Sequence, residues 1–331
     1  MSLSSPRAAT PESLAAELEQ VVDAVVAALG GDTTPIKPGP RVPFHWPPHP
    51  LSTNYLVHAS DWTGTGLFTC MDESHPAQLA RTNEWFFARS PEFFSESKGA
   101  SREEALEALG AATEPLFQRQ WAMAEALGLD QRFQGSIREL PPIGLLRLLY
   151  CRDRDVAFDS SVEIERAAGS GLYTPALIAI LNDDRHPHRY SAQWCVLDLF
   201  EDLPTFCKTQ RQEMQAVHAM RDLILRSPVD YARTVYKAGV VLGGQLPGEL
   251  GAPVLMECLR SPHRVGRRSA IHGLFHVAEW DAGMRETVIK ALQAHALEEP
   301  DADLREFAWH IAADVEAGSV DHVIEPVFEG E

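Results

Sequence analysis

The sequence is short of positive charge. Lysine and arginine total 29 residues against 47 aspartates and glutamates, which gives a formal net charge of −18 at pH 7. Proteins that bind nucleic acids or anionic lipid surfaces draw much of their affinity from lysine and arginine side chains that contact phosphates. Both halves of the chain are acidic, and no basic arm offsets the deficit. We therefore expect neither a nucleic-acid partner nor a membrane partner.

Paired cysteines and long apolar stretches are also missing. The five cysteines are widely spaced, and none lies in a C-x-x-C pair that would indicate zinc or redox chemistry. We interpret them as reduced, buried thiols. No apolar run approaches the roughly 20 residues that span a bilayer, and the N-terminus lacks the basic-then-apolar order of a secretory signal. These absences predict a cytoplasmic protein.

Common catalytic signatures are absent as well. No G-x-S-x-G elbow occurs, and the glycines between residues 243 and 251, which we place in turns, lack the lysine of a phosphate-binding loop. Carboxylate pairs such as Glu298-Glu299 are expected in caps or turns, where solvent surrounds their charge. An enzyme is therefore not favoured, and no cofactor is predicted.

The N-terminal part of the chain contains a helix and a linker. Thr10 and Pro11 give an N-cap and a first-turn proline, and apolar residues then recur at helical spacing until Gly30-Gly31. Residues 1–31 are thus predicted to form an amphipathic helix. Residues 32–50 hold seven prolines and are predicted to form an extended linker.

Residues 51–135 have a different residue pattern, typical of a small α+β module. Two runs rich in β-branched and aromatic residues, 54–60 and 66–72, flank a Thr-Gly-Thr-Gly segment at 63–66 that predicts a hairpin turn. Ser101 and Glu104 then form a capping box that begins a helix. This strand, strand, helix order resembles the small domain of HicB-type antitoxins.

The same region contains a cluster of aromatic residues. We expect the cluster to lie in a core or domain interface, with a ligand pocket as the alternative: Trp85, Phe86, Phe87, Phe93 and Phe94.

From residue 141 the sequence repeats itself. Segments 188–202, 266–280 and 304–318 place small and apolar residues in the same columns, with weaker copies at 142–168 and 211–244. The aligned residues are an opening arginine, at Arg189, Arg267 and Arg305, and an alanine, at Ala192, Ala270 and Ala308. This order resembles the second helix of the PBS-lyase type of HEAT repeat. The resemblance implies a mainly α protein whose residues 141–317 form an α-solenoid of about five helical hairpins, followed by an acidic tail at 318–331.

The same alignment predicts which side chains remain accessible to solvent. The positions two and six residues after each aligned alanine are those where the repeat carries polar surface residues. They define a predicted binding groove on the concave face: Trp194, Asp198, His272, His276, His310 and Asp314. A tryptophan beside polar groups is typical of a recognition surface for a protein or peptide. HEAT arrays are mostly interaction platforms, so the resemblance implies a non-enzymatic binding scaffold.

Other interpretations of the groove stay open. Histidines one helical turn apart often begin a metal site, so a metal-binding protein or metal-dependent enzyme would hold a transition metal with His272, His276, His310 and Asp314. The repeated His-Glu dipeptides of deoxyhypusine hydroxylase, a HEAT-type di-iron enzyme, are missing. Trp194 and Asp198 resemble in spacing a pair found in HEAT-like DNA glycosylases, but this acidic chain lacks their cationic groove. The name of the repeat also implies a tetrapyrrole lyase or chaperone, for which no residue gives support.

Overall fold

The computed structural model describes residues 9–36, 61–93, 95–227, 232–246 and 248–318. The chain is mainly helical, with a small four-stranded antiparallel sheet in its N-terminal part. It divides into two compact units, of which the smaller comprises residues 40–135 and the larger comprises the rest. Most of the predicted linker, the run at 54–60 and the tail from residue 319 lie outside the described residues. None of the described helices combines the length and apolarity needed to cross a bilayer.

Helix α1 (Pro11–Ala28) belongs to the larger unit. Thr10 caps it as predicted, because its side chain accepts a hydrogen bond from the Ser13 backbone N–H while the Ser13 hydroxyl accepts one from the Thr10 N–H. Leu14, Leu18 and Val22 are buried in the core formed by the C-terminal helices. The N-terminal helix is thus part of the larger helical unit.

The smaller unit is a four-stranded meander covered by one helix. Strands β1 (Gly64–Cys70), β2 (Glu73–Arg81), β3 (Phe86–Arg89) and β4 (Glu96–Gly99) pair in sequential antiparallel order. Helix α2 (Arg102–Leu127) begins at Ser101, whose side chain accepts a hydrogen bond from the Glu104 N–H. It packs Leu109 and Phe117 against Phe68 and Leu79 of the sheet. Of the aromatic cluster, Phe87 and Phe93 are buried and Trp85 is 38% exposed, whereas Phe94 lies outside the described residues.

The hairpin turn predicted at residues 63–66 is wrong. Thr65 and Gly66 lie inside strand β1, and the turn into β2 is made by Met71 and Asp72. Both turn residues have positive φ angles, 49° and 64°, as a type I′ turn requires. The usual Asn-Gly or Asp-Gly signature of such a turn is absent, so no local pattern in the sequence marks the turn. Four strands therefore precede the helix in the described part of the unit, in place of the two that the HicB resemblance implied.

The remaining helices of the larger unit coincide with the repeat copies and with the segments between them. In order they are α3 (Pro142–Leu148), α4 (Arg154–Arg166), α5 (Thr174–Asn182), α6 (Arg189–Leu199), α7 (Leu203–Phe206), α8 (Gln210–Arg226), α9 (Ala232–Gly244), α10 (Gly248–Cys258), α11 (Arg264–Trp280), α12 (Arg285–Glu298) and α13 (Ala302–Ala317). Segments 188–202, 266–280 and 304–318 correspond to α6, α11 and α13. Gly243 and Gly251 lie within α9 and α10, so their predicted placement in turns is wrong.

The helices of the larger unit pack in two rows. In one row α4, α6, α9, α11 and α13 follow one another, each against the next. In the other row α5 packs against α8 and α8 against α10, while α1 packs against both α3 and α5. Successive pairs such as α8–α9 and α10–α11 join the rows. One continuous apolar core runs between them from α1 to α13.

The aligned arginines share one structural role. Each lies near the start of its helix and donates a hydrogen bond from Nη1 to a carbonyl of the preceding turn. Arg189 binds the His186 oxygen at 3.0 Å, Arg267 the Ser261 oxygen at 3.1 Å, and Arg305 the Glu299 oxygen at 3.0 Å. The aligned alanines are buried at helix contacts: Ala192, Ala270 and Ala308. The columns seen in the sequence thus correspond to repeated structural positions.

A buried carboxylate organises the turn before α13. Glu299 is only 2% exposed, which corrects the expectation that solvent surrounds its charge. Arg267 donates to it twice, from Nε at 2.8 Å and from Nη2 at 3.0 Å, and the Asp301 N–H donates at 3.0 Å. Because the bidentate hydrogen bonds from Arg267 compensate the buried charge of Glu299, this turn is fixed to the start of α11.

Candidate functional site

The exposure of the predicted groove residues agrees with the predicted register. Five of the six are half-buried and one is exposed: Trp194, Asp198, His272, His276, Asp314 and the exposed His310. The apolar residues between them are buried: Val196, Leu199, Leu274 and Val277. The polar side chains of these helices are therefore available for contact while the apolar ones form the core.

Trp194 and Asp198 of α6 meet Lys237 of α9. The Lys237 ammonium lies 3.0 Å from Asp198 Oδ1, contacts the Glu201 carboxylate, and lies 5.5 Å from the centre of the Trp194 ring. Burial lowers the pKa of Lys237, but the hydrogen bonds to Glu201 and Asp198 outweigh burial and leave this pKa above its ordinary value. The lysine therefore remains charged and is held beside the indole by charge-assisted hydrogen bonds.

Tyr236, the neighbour of Lys237, connects α9 to the histidines of α11. The Tyr236 hydroxyl lies 2.7 Å from His272 Nε2, which in turn lies 2.9 Å from His276 Nε2. His276 Nδ1 lies 2.9 Å from Glu279 Oε2. The guanidinium of the buried Arg268 stacks 4.9 Å from the centre of the Tyr236 ring. A phenol, two imidazoles and a carboxylate thus lie in a row, each within hydrogen-bond distance of the next.

The close approach of α9 and α11 makes this chain of contacts possible. A side chain on Gly243 would overlap the Gly273 carbonyl, and one on Gly239 would overlap the Ser269 carbonyl. The Ser269 hydroxyl also donates to the Val235 carbonyl at 2.7 Å. With no side chains to separate the two backbones, Tyr236 reaches His272 directly.

His310 and Asp314 lie on α13, the next helix in the row after α11. His310 Nε2 is 3.9 Å from Glu306 Oε1 of the same helix. Within the part of the chain that the structure describes, no three His, Cys, Asp or Glu side chains are grouped so that they could hold a metal ion. What the structure brings together is the pair His272 and His276, with Tyr236 and Glu279 as neighbours.

Sequence reasoning missed three members of this surface, namely Tyr236, Lys237 and Glu279. The repeat copy at 211–244 is too weak to align column by column, so the alignment assigned no residue of α9 to the surface. Glu279 had a usable signal, since it lies three residues after His276 on a helix, where side chains meet. Tyr236 and Lys237 had none, because their contacts are with other helices.

The cysteines have the character of structural thiols. Burial, reinforced by Glu257, raises the pKa of Cys258 to about 12, and burial with nearby Glu213 raises the pKa of Cys207 to about 11. Such thiols stay protonated at neutral pH and are poor nucleophiles. The described residues form no disulfide.

No protein-family model matches the chain, and no curated protein or solved structure is significantly similar to it.

Proposed function

We propose that residues 141–317 form a HEAT-like α-solenoid of about five hairpins that works as a non-enzymatic scaffold for a protein or peptide. A stack of hairpins requires each helix of a row to pack on the next, and α4, α6, α9, α11 and α13 do so. The repeated arginine-to-turn hydrogen bonds of Arg189, Arg267 and Arg305 support the same interpretation.

The contact between Trp194 and Lys237 carries the proposal of binding. A half-buried tryptophan offers a large apolar area, and such residues dominate the energy of protein interfaces. Lys237 is already fixed by Asp198 and Glu201, so a partner that docks here loses little side-chain entropy. The binding surface continues from Trp194 over four further residues that also contact the partner: His272, His276, His310 and Asp314.

The charge and the cysteines of the chain indicate the class of partner and the cellular compartment. A net charge of −18 disfavours nucleic acids and anionic membranes, which leaves a protein or peptide. Cys258 is buried and Cys207 is half-buried, and both thiols stay protonated at neutral pH; this suits the reducing cytoplasm, where we place the protein.

A pull-down from the native cytoplasm with matched tryptophan variants tests the proposal. We expect Trp194→Ala to weaken binding of the captured partner by about 30-fold, which corresponds to about 2 kcal/mol. Trp309→Ala is the control, because Trp309 is 40% exposed on α13 but outside the aligned columns. Equal binding by Trp194→Ala and wild-type protein, with both variants folded by circular dichroism, would exclude this surface.

A further inference from the structure

The imidazole nitrogens of His272 and His276 converge on one point. Their Nε2 atoms are 2.9 Å apart, the rings are inclined at 74°, and the ring centroids are 4.6 Å apart. The centroids lie further apart than the nitrogens, so each ring presents its Nε2 edge to the other. Two nitrogens about 2.05 Å from one metal ion, at right angles to each other, would be about 2.9 Å apart. The observed spacing fits two ligands of one ion.

Glu279 determines which nitrogen of His276 faces this point. Its carboxylate lies 2.9 Å from His276 Nδ1, and an ionised carboxylate can only accept hydrogen bonds. We therefore assign the proton to Nδ1, which leaves a lone pair on Nε2. A carboxylate that holds the far nitrogen of a histidine is the usual support for a metal-binding imidazole.

Tyr236 supplies a third ligand atom next to His272. Its hydroxyl is 2.7 Å from His272 Nε2, so that nitrogen has both the hydroxyl and His276 Nε2 at hydrogen-bond distance. A neutral imidazole nitrogen has a single lone pair or a single proton to share between them. A metal ion held by all three side chains would remove this competition for His272 Nε2.

We propose that Tyr236, His272 and His276 bind a divalent transition metal ion, with Glu279 as the positioning residue for His276. Imidazole ligands suit Cu²⁺, Ni²⁺ and Zn²⁺, and Cu²⁺ binds tightest in the general affinity order. Water completes the coordination. The site needs α9 and α11 only, so it does not depend on His310 or Asp314. It goes beyond the scaffold role and would tie together two helices of the surface that carries it.

Copper titration of the untagged, full-length protein tests the site. We expect His272→Ala and His276→Ala each to lose the tightest Cu²⁺ site in calorimetry, and Glu279→Gln to weaken it by about tenfold. The bound copper should show nitrogen hyperfine coupling in its electron paramagnetic resonance spectrum, and Tyr236→Phe should weaken the site while keeping that coupling. The chain has 13 histidines, so the evidence is the loss of one site rather than the total copper bound.

His310→Ala is the matched control, since this histidine is exposed on a neighbouring helix and its removal should leave the site unchanged. Wild-type affinity in both His272→Ala and His276→Ala would overturn the proposal, as would an equal loss in His310→Ala. Circular dichroism of each variant separates lost binding from lost folding. The copper titration contains no protein partner, so its outcome is independent of the pull-down with Trp194→Ala.

Discussion

The surroundings of His186 connect a single side chain to the acid stability of the larger unit. This histidine is 6% exposed, its Nδ1 accepts a hydrogen bond from the His188 N–H at 3.0 Å, and its ring lies 4.1 Å from that of Tyr150. Burial, followed by the neighbouring His188 and Arg189, lowers the pKa of His186 to about 3. The unfolded chain takes up this proton already near pH 6.5. Between these values the unfolded state binds more protons, so stability falls as the pH falls.

Replacing His186 should reduce the dependence of the free energy of unfolding on pH. We expect the free energy of unfolding of His186→Asn, which retains an acceptor for the His188 N–H, to vary less with pH below 6.5. The difference in slope from wild-type protein should approach about 1.4 kcal/mol per pH unit. Urea unfolding of the larger unit at several pH values between 6.5 and 5 measures it. An unchanged slope in His186→Asn would contradict the assignment.

At the scale of the element, the contact of α9 with α11 depends on having no side chain at Gly243. An alanine in place of a helical glycine normally stabilises a protein by about 1 kcal/mol. Here the added methyl group would overlap the Gly273 carbonyl, so we expect Gly243→Ala to destabilise the larger unit by about 1–3 kcal/mol. The urea midpoint measures the change. Gly169→Ala is the control, since nothing lies within 4 Å of the added atom, and it should be neutral or slightly stabilising. A neutral or stabilising effect of Gly243→Ala would show that this contact is not tight.

At the scale of the whole molecule, the larger unit is built from two separate stretches of the chain. Leu14 and Leu18 of α1 enter the same core as the C-terminal helices. The segment after α1 is fixed to the turn before α6, since Arg189 donates to the Thr33 carbonyl at 2.9 Å and the Ile36 N–H donates to the Pro187 carbonyl at 2.8 Å. The stack of C-terminal helices is therefore incomplete without residues 9–36.

A fragment experiment measures how much the N-terminal stretch contributes. We expect residues 136–331 expressed alone to be helical but less stable than the full chain, because the core side chains that contact α1 become exposed. Adding a peptide of residues 9–36 should raise the melting temperature of the fragment in proportion to its occupancy. A peptide with Leu14 and Leu18 changed to Ser is the control. Equal melting temperatures with either peptide would show that α1 is not part of the unit.

The sequence by itself determined the features that depend on near neighbours in the chain. The N-caps at Thr10 and Ser101 and the helices at 188–202, 266–280 and 304–318 follow from side chains within about four residues of one another. The alignment of these helices also predicted which side chains are buried, because equivalent positions face equivalent neighbours. The same alignment predicted that Trp194 and His272 remain accessible to solvent.

Only the tertiary structure decided which distant residues meet. It placed Tyr236 beside His272, Lys237 against Trp194, and Glu299 in the interior, and it put α1 beside α3 and α5. These contacts join residues tens to hundreds of positions apart, and they arise from the packing of whole helices. Packing of this kind leaves no periodic signal in the sequence, because it is set by the shapes of surfaces that the chain brings together only when it folds.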